Sequence, residues 1–142
     1  MSGLPGEHNG TFRGNCHAFV TARAALRHFW RDREKFEKDI AAKAKILEDG
    51  LRAIMKANAS TKMVLKGRGM MRGLEMPSGE FAGKVIKHAF ENGMIIESAG
   101  PKDEVVKCLA ALTISAEDLE KGLKILGEAV AAVARQAEKA AA

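Results

Sequence analysis

Aromatic residues are scarce in this sequence: its 142 residues include no tyrosine, one tryptophan and six phenylalanines. The net charge of +5 would suit a nucleic-acid partner, but such surfaces interleave cations with aromatic rings on which bases stack. Most cations here alternate with acids, as from Arg31 to Asp39, which is typical of a solvated helix face. The exceptions are Lys62, Lys66, Arg68 and Arg72, where we expect only weak, non-specific nucleic-acid contact.

Cysteines are also few, since only Cys16 and Cys108 are present and neither belongs to a Cys-x-x-Cys pair. With no secretory apolar segment at the start, this favours a reducing, cytoplasmic setting. We expect Cys108 to be a buried strand residue and Cys16 to lie at a helix start. Cys16 and His17 are adjacent and no second pair has ligand spacing, so no metal site is predicted.

Long apolar runs are missing as well: none reaches the roughly 18 residues that indicate a membrane span. A composition of 46% hydrophobic and 29% charged residues is ordinary for a globular protein. The length allows one hydrophobic core. We therefore expect one domain and no membrane partner.

Hydrophobic periodicity predicts helices over residues 17–30, 33–57 and 79–92, and a last helix from about 115 onward. Ser78 and Ser115 are predicted N-caps, and Gly93 suits the residue after a helix end. Short strands are predicted over 63–65, 70–76, 94–97 and 105–109, the first two joined by a turn at 67–69. This order predicts an α+β domain with a short, mostly antiparallel four-stranded sheet and helices packed on one face.

The predicted core consists of the apolar stripes of three helices. Gly50 interrupts the first of them, at a cost of ~1 kcal/mol against alanine, and would permit close packing. The expected stripe residues are Phe36, Ile40, Ala44, Leu47, Leu51, Ile54 and Met55, then Phe81, Val85, Ile86, Ala89 and Phe90, and finally Leu119, Leu123, Leu126, Val130 and Val133.

The segment from Gly6 to Asn15 is rich in glycine and asparagine, and it leads into an apolar helix. Unpaired N–H groups, the positive end of the helix dipole and the hydroxyl of Thr11 would favour a phosphate or carboxylate there. The alternative is a capped loop that leads into a helix.

Four separated motifs, in the same order, resemble the class-III, fold-type-I aminotransferases, and together they cover about residues 5–134. Within that family the first motif most resembles the diaminobutyrate-using branch that serves ectoine biosynthesis. The motifs are Pro5-Gly-Glu-His-Asn-Gly-Thr-Phe-Arg-Gly-Asn15, Lys66-Gly-Arg-Gly-Met-Met-Arg-Gly-Leu74, Asn92-Gly-Met-Ile-Ile-Glu97 with Asp103-Glu-Val-Val-Lys-Cys-Leu109, and the closing helix from Leu119 to Leu126.

The resemblance implies a pyridoxal 5'-phosphate cofactor whose phosphate is contacted by Gly10, Thr11 and Phe12. In the family this threonine serves the site of the neighbouring subunit. Asn15 would shape the helix start. Arg13 is either a substrate-carboxylate contact or a surface charge.

Lys107 stands where many family members carry an arginine that holds the substrate α-carboxylate. It is either the carboxylate partner, with a different geometry, or an exposed strand lysine. Ala110 and Ala111 replace the prolines that are usual after this strand.

The family's Schiff-base lysine lies upstream of the Gly-Thr-Phe segment, and none of the lysines here has its sequence context. We therefore expect no catalytic residue in this chain and no activity of the chain alone. The predicted division is a cofactor-phosphate segment (1–16), a C-terminal small domain with junction helices (17–135) and a frayed tail (136–142).

Three hypotheses about function follow from these expectations. The chain is a C-terminal fragment of a transaminase that acts on small amino and keto acids, a non-catalytic domain that pairs with a full-length homologue, or a small basic binding protein. The first two imply a homo-oligomer or a full-length homologue as partner, because junction helices would expose apolar stripes.

Overall fold

The computed structural model describes residue 10 and residues 13–141. The chain divides into two compact units, residues 1–38 and 39–142, and each is described by itself. The first helix, α1, spans Cys16–Phe29. Asn15, the residue expected to shape the helix start, is its N-cap: the side-chain Oδ1 accepts from the backbone N–H of His17 at 2.9 Å and of Ala18 at 3.2 Å.

No residue of α1 is buried in the structure. Its apolar residues Phe19, Val20 and Leu26 are all exposed. Helix α2 spans Arg33–Ala57. Near its start, Phe36 stacks on Phe29 at 5.8 Å between ring centroids and meets Trp30 edge-on at 4.8 Å. Phe36 therefore packs in an aromatic cluster of the first unit, and its predicted place in the main core is wrong.

The second unit contains a four-stranded sheet in the order β1-β2-β4-β3, with every neighbouring pair antiparallel. A 3₁₀ turn at Ala59–Thr61 follows α2 and precedes the first strand. The strands are β1 (Val64–Arg68), β2 (Met71–Glu75), β3 (Glu97–Ala99) and β4 (Val105–Cys108), and the remaining helices are α3 (Gly79–Glu91) and α4 (Ala116–Ala141). The predicted α+β class is confirmed.

Two strand boundaries differ from the prediction. β1 continues through Gly67 to Arg68, which pairs with Met71, so the hairpin loop is Gly69 and Met70. Gly69 has a φ of 57°, and the first position of a tight two-residue loop favours such a positive value. β3 begins only at Glu97, because Met94 and Ile96 pack against the core from a segment outside the sheet.

Side chains alternate between the two faces of the sheet, and the helices cover one face. Leu65, Leu74, Val106 and Cys108 belong to the hydrophobic core or pack against it. The register places Lys66, Gly73, Lys107 and Glu97 in one row on the opposite, outer face. The sheet therefore presents a charged row on the face away from the helices.

Both predicted helix starts in this unit are confirmed by hydrogen bonds. The hydroxyl of Ser78 accepts from the N–H of Phe81 at 3.1 Å, and that of Ser115 accepts from the N–H of Asp118 at 3.0 Å. Gly93, with a φ of 84°, follows the end of α3. Helix α4 includes residues 136–141, the tail predicted to fray.

The core of the second unit is formed mainly by the predicted stripes. The prediction that Phe90 belongs to this core is wrong, because Phe90 is 66% exposed. The predicted Val85 and Ala89 are buried on α3 together with Ala82, and the predicted Phe81 and Ile86 are partly buried against the core. Among the residues described, no helix is long and apolar enough to span a membrane.

Candidate cofactor and substrate site

The predicted phosphate segment forms an exposed turn as far as the structure describes it. The N–H of Arg13 donates to the carbonyl of Gly10 at 3.1 Å. Gly14 has a φ of 71°, a conformation that glycine adopts without strain. Thr11 and Phe12 lie outside the described residues.

Arg13 and Gly10 are neighbours across this turn. Both residues are exposed, and a Cβ added at Gly10 would lie 3.6 Å from Cγ of Arg13. The turn therefore brings a cationic side chain back over the glycine that precedes Thr11.

The start of α1 has fewer open donors than the sequence suggested. Asn15 Oδ1 already accepts from the N–H groups of His17 and Ala18, two of the helix's first donors. An exposed turn with a guanidinium beside it still fits a phosphate by its chemistry. The contacts would then come from the turn that contains Gly10 and Arg13 more than from the helix end.

Lys107 lies in β4 within the second unit, half-buried with 32% of its side chain exposed. Its Nζ donates to Oε2 of Glu97 at 2.9 Å, and the register pairs these two residues directly across β3 and β4. The hydrogen bond from Lys107 and then its charge lower the pKa of the Glu97 carboxyl. Lys107 is therefore an ion-paired residue on the outer face of the sheet.

A cavity of about 730 Å³ opens beside this ion pair. Its walls come from the segment before β3, from the end of β4 with the loop after it, and from the first turns of α4. Most of the lining is apolar, and the charged residues in it are Glu97, Lys107, Asp118 and Lys121. A mostly apolar cleft with a few charged groups is typical of sites for small polar molecules.

Glu97 and Lys43 were not among the candidate site residues, although both contact parts of this site. Glu97 could have been found from the register, because a hairpin around residues 100–104 places it opposite Lys107. Lys43 interrupts the apolar face of α2 with a charge, and its role required the tertiary contacts described below.

The cysteines give no sign of a redox or metal site. Cys16 is exposed and Cys108 is buried, and both are free. Burial raises the pKa of the Cys108 thiol to about 11. Within the described part of the chain, no three His, Cys, Asp or Glu side chains are grouped so that they could hold a metal ion.

The antiparallel sheet with its packed helices is an α+β fold that also occurs in fold-type-I aminotransferases. The sequence model of class-III aminotransferases matches residues 1–130, and the chain belongs to this pyridoxal-phosphate-dependent family. It is 47% identical over 126 residues to a diaminobutyrate–2-oxoglutarate transaminase from Streptomyces avermitilis, covering 89% of this chain and 30% of that protein. It is 49% identical over 124 residues to the transaminase of the same name from Halomonas elongata, covering 86% of this chain and 29% of that protein.

Solved structures give the same fold. A lysine aminotransferase from M. tuberculosis matches 92% of this chain and 29% of its own, with a TM-score of 0.77 and 22% identity. An N-acetylornithine aminotransferase from Stenotrophomonas maltophilia matches 81% of this chain and 31% of its own, with a TM-score of 0.68 and 30% identity. The chain thus spans about 30% of the length of the curated relatives that it matches.

Proposed function

We propose that this chain is the C-terminal part of a transaminase that transfers an amino group between L-2,4-diaminobutyrate and 2-oxoglutarate, giving aspartate semialdehyde and glutamate. The observation that carries the proposal is the 47–49% identity to diaminobutyrate–2-oxoglutarate transaminases along most of the chain. The family model matches residues 1–130, a range that includes both the turn before α1 and β4, the two places with candidate site residues.

The first role proposed for this chain is to hold the phosphate of pyridoxal 5'-phosphate. Gly10, Thr11 and Phe12 would supply the contacts, and a neighbouring subunit would receive them. The exposure of Gly10 and Arg13, joined by a hydrogen bond from the Arg13 N–H to the Gly10 carbonyl, supports this role. Arg13 would add a cation beside the phosphate or a substrate carboxylate.

The second role is substrate binding at Lys107. Pyridoxal phosphate supplies the electron sink that transamination requires. Lys107 would hold a substrate carboxylate at the mouth of the cavity, as a point charge with rotatable donors instead of the planar fork of an arginine. Glu97 would have to release Lys107 for this purpose. Glu97 is 73% exposed, so it has room to move into solvent.

The proposal is tested with a chimera in which this chain replaces the matching segment of the Halomonas elongata transaminase. We expect the chimera to convert diaminobutyrate and 2-oxoglutarate in the presence of pyridoxal phosphate. The isolated chain should show no activity and should leave the absorption band of the free cofactor unshifted. A folded chimera without activity, or an active isolated chain, would contradict the proposal.

The role of Lys107 is tested in the same chimera. Lys107→Met should raise the KM for 2-oxoglutarate roughly ten- to a hundred-fold, because it removes a charged hydrogen-bond donor. Lys121→Met is the matched control, since Lys121 also lines the cavity but lies on α4. Equal effects of the two substitutions would remove Lys107 from the site.

The hypothesis of a small basic binding protein loses support in the structure. Of the four cations on or before the hairpin, Lys66 pairs with Glu75 at 2.6 Å and Arg72 pairs with Glu48. Glu48 also pairs with Arg52, and this hydrogen bond, followed by the charges of both arginines, lowers the pKa of its carboxyl. Charges that are paired in this way attract an anionic partner less strongly.

A further inference from the structure

Lys43 on α2 is a buried lysine to which the proposed mechanism gives no part. It is only 5% exposed, in the same helix as the core residues Leu47 and Leu51. Its Nζ donates to the carbonyl of Leu112 at 2.6 Å and to that of Ile114 at 3.2 Å. The Oδ2 of Asp39, one helical turn earlier, lies 2.6 Å from the same nitrogen.

These three contacts match the chemistry of the group. An ammonium has three N–H donors and no acceptor, and three oxygens surround it here. A buried charge without such partners would be strongly unfavourable. The ammonium of Lys43 therefore links α2 to the loop that contains Leu112 and Ile114 by two hydrogen bonds, with Asp39 as its ion-pair partner.

That loop, residues 109–115, joins β4 to α4. It has no proline that would fix its backbone angles. Inside the loop, the N–H of Ile114 donates to the carbonyl of Ala111 at 3.0 Å. The link to Lys43 is thus a tertiary restraint on a short segment with little regular structure of its own.

The same loop is a wall of the cavity beside Lys107. Ala110, Ala111, Thr113 and Ile114 all line this cavity, together with Lys107 itself. A shift of the carbonyls that Lys43 holds would change the shape of that wall.

We propose that Lys43 is a positioning residue, whose ammonium fixes the loop 109–115 and with it the wall of the cavity that holds Lys107. Its role in binding substrate rests on the proposed function. The restraint on the loop is a property of this chain and can be tested without activity.

The first experiment measures amide hydrogen exchange in the 142-residue chain. Lys43→Met keeps most of the side-chain volume and removes the charge. We expect exchange at Ile114 to become at least about tenfold faster, since bonds to charged groups are lost, while α3 amides change less. Lys45→Ala is the control, because Lys45 is an exposed lysine of the same helix that pairs with Asp49 at 2.7 Å.

The second experiment separates a missing ammonium from general damage to the fold. Lys43→Ala leaves an empty space beside three oxygens that have lost their cationic partner. Propylammonium can fill this space and restore the charged donor, whereas propanol can fill it but brings no charge. We expect propylammonium, and not propanol, to restore slow exchange at Ile114 in Lys43→Ala. It should not do so in Lys43→Met, where the side chain occupies the space.

Two results would overturn the proposal: equal acceleration of exchange in α3 and in the loop, or equal rescue by propanol and propylammonium. In the active chimera, Lys43→Met should raise the KM for 2-oxoglutarate with kcat little changed. If exchange behaves as expected but this KM is unmoved, the loop restraint stands and its link to substrate binding is wrong. If Lys107→Met also leaves the KM unmoved, the proposed substrate site itself is wrong.

Discussion

Gly73 lies near the middle of the charged row on the outer face, where a side chain would have no room. A Cβ there would lie 2.7 Å from Cγ1 of Val105 and 2.9 Å from the carbonyl oxygen of Val106. One of these neighbours is backbone in the adjacent strand, which cannot move without disturbing the pairing of β2 with β4.

We therefore expect Gly73→Ala to lower the free energy of unfolding by about 1–3 kcal/mol, as overpacking does. Gly83→Ala on α3 is the matched control. Apart from the adjacent backbone of α3 itself, no atom lies within 4 Å of a Cβ at Gly83, so alanine should stabilise the chain by up to about 1 kcal/mol through helix propensity. Urea denaturation of both variants measures the change in the free energy of unfolding. A loss of stability in Gly83→Ala as large as that in Gly73→Ala would contradict the prediction.

The Glu97–Lys107 pair predicts a dependence on pH. The pKa of Glu97 is lower in the folded chain than in the unfolded one, because Lys107 stabilises the carboxylate. Its contribution to stability is therefore present above the unfolded pKa of about 4.3 and is lost as the pH falls through the folded pKa. Lys107→Gln should return the pKa of Glu97 towards its ordinary value. An NMR titration of the Glu97 carboxyl carbon checks this, and an unchanged pKa in the variant would be evidence against the pair.

At the scale of elements, the contact between α2 and α4 depends on Gly50 in α2. A Cβ at Gly50 would lie 2.5 Å from Cδ1 of Leu123, whereas one at Gly127 would lie at the ordinary contact distance of 3.4 Å from Cγ1 of Ile54. The expectation that Gly50 permits close packing is confirmed, and the residue that occupies the space is Leu123.

Gly50→Ala combines two opposing effects. Alanine gains about 1 kcal/mol of helix propensity, while the clash with Leu123 costs about 1–3 kcal/mol, so we expect a net loss. In a Leu123→Ala background the clash is gone, and the same substitution should become stabilising. A double-mutant cycle by urea denaturation measures this change of sign. Additive effects would show that Leu123 does not limit the space at Gly50.

At the scale of the whole molecule, the two units differ in how their apolar residues are placed. The second unit buries most of the apolar stripes of α2, α3 and α4 in its core. Helix α1 instead exposes Phe19 and Val20 by 65% and 67%. Exposed apolar stripes of this kind indicate a surface for association.

We accordingly expect the isolated chain to associate with itself, and we expect the associated fraction to increase with protein concentration. Replacing Phe19 and Val20 with serine should shift the population towards monomer without lowering the stability of the second unit. Sedimentation velocity over a range of concentrations measures the association. A parent chain that remains monomeric throughout would exclude it.

The helices were predictable because their determinants are local. The spacing of apolar residues, the caps at Asn15, Ser78 and Ser115 and the glycine at residue 93 all act within a few residues along the chain. The same reasoning failed for Phe90, because which apolar residues of a helix face the core depends on where the sheet and α4 lie.

For the candidate site, the family resemblance pointed to Lys107 as a possible carboxylate partner, and this role stays a prediction. The sequence did not point to the pairing of Lys107 with Glu97, whose pKa it lowers. The hairpin loop was placed too early, at residues 67–69, because glycine spacing alone does not set the register of a hairpin. The register is set by the pairing of Arg68 with Met71, which leaves Gly69 and Met70 as the loop.

The sequence by itself determined the family, the helices, the α+β class and the positions at which cofactor and substrate contacts are proposed, because motifs and periodicity are written along the chain. Only the tertiary structure decided what those positions meet. It paired Lys107 with Glu97, filled the space at Gly50 with Leu123 and joined Lys43 to carbonyls about 70 residues later in the chain. Such contacts depend on packing between distant segments, which local sequence patterns do not specify.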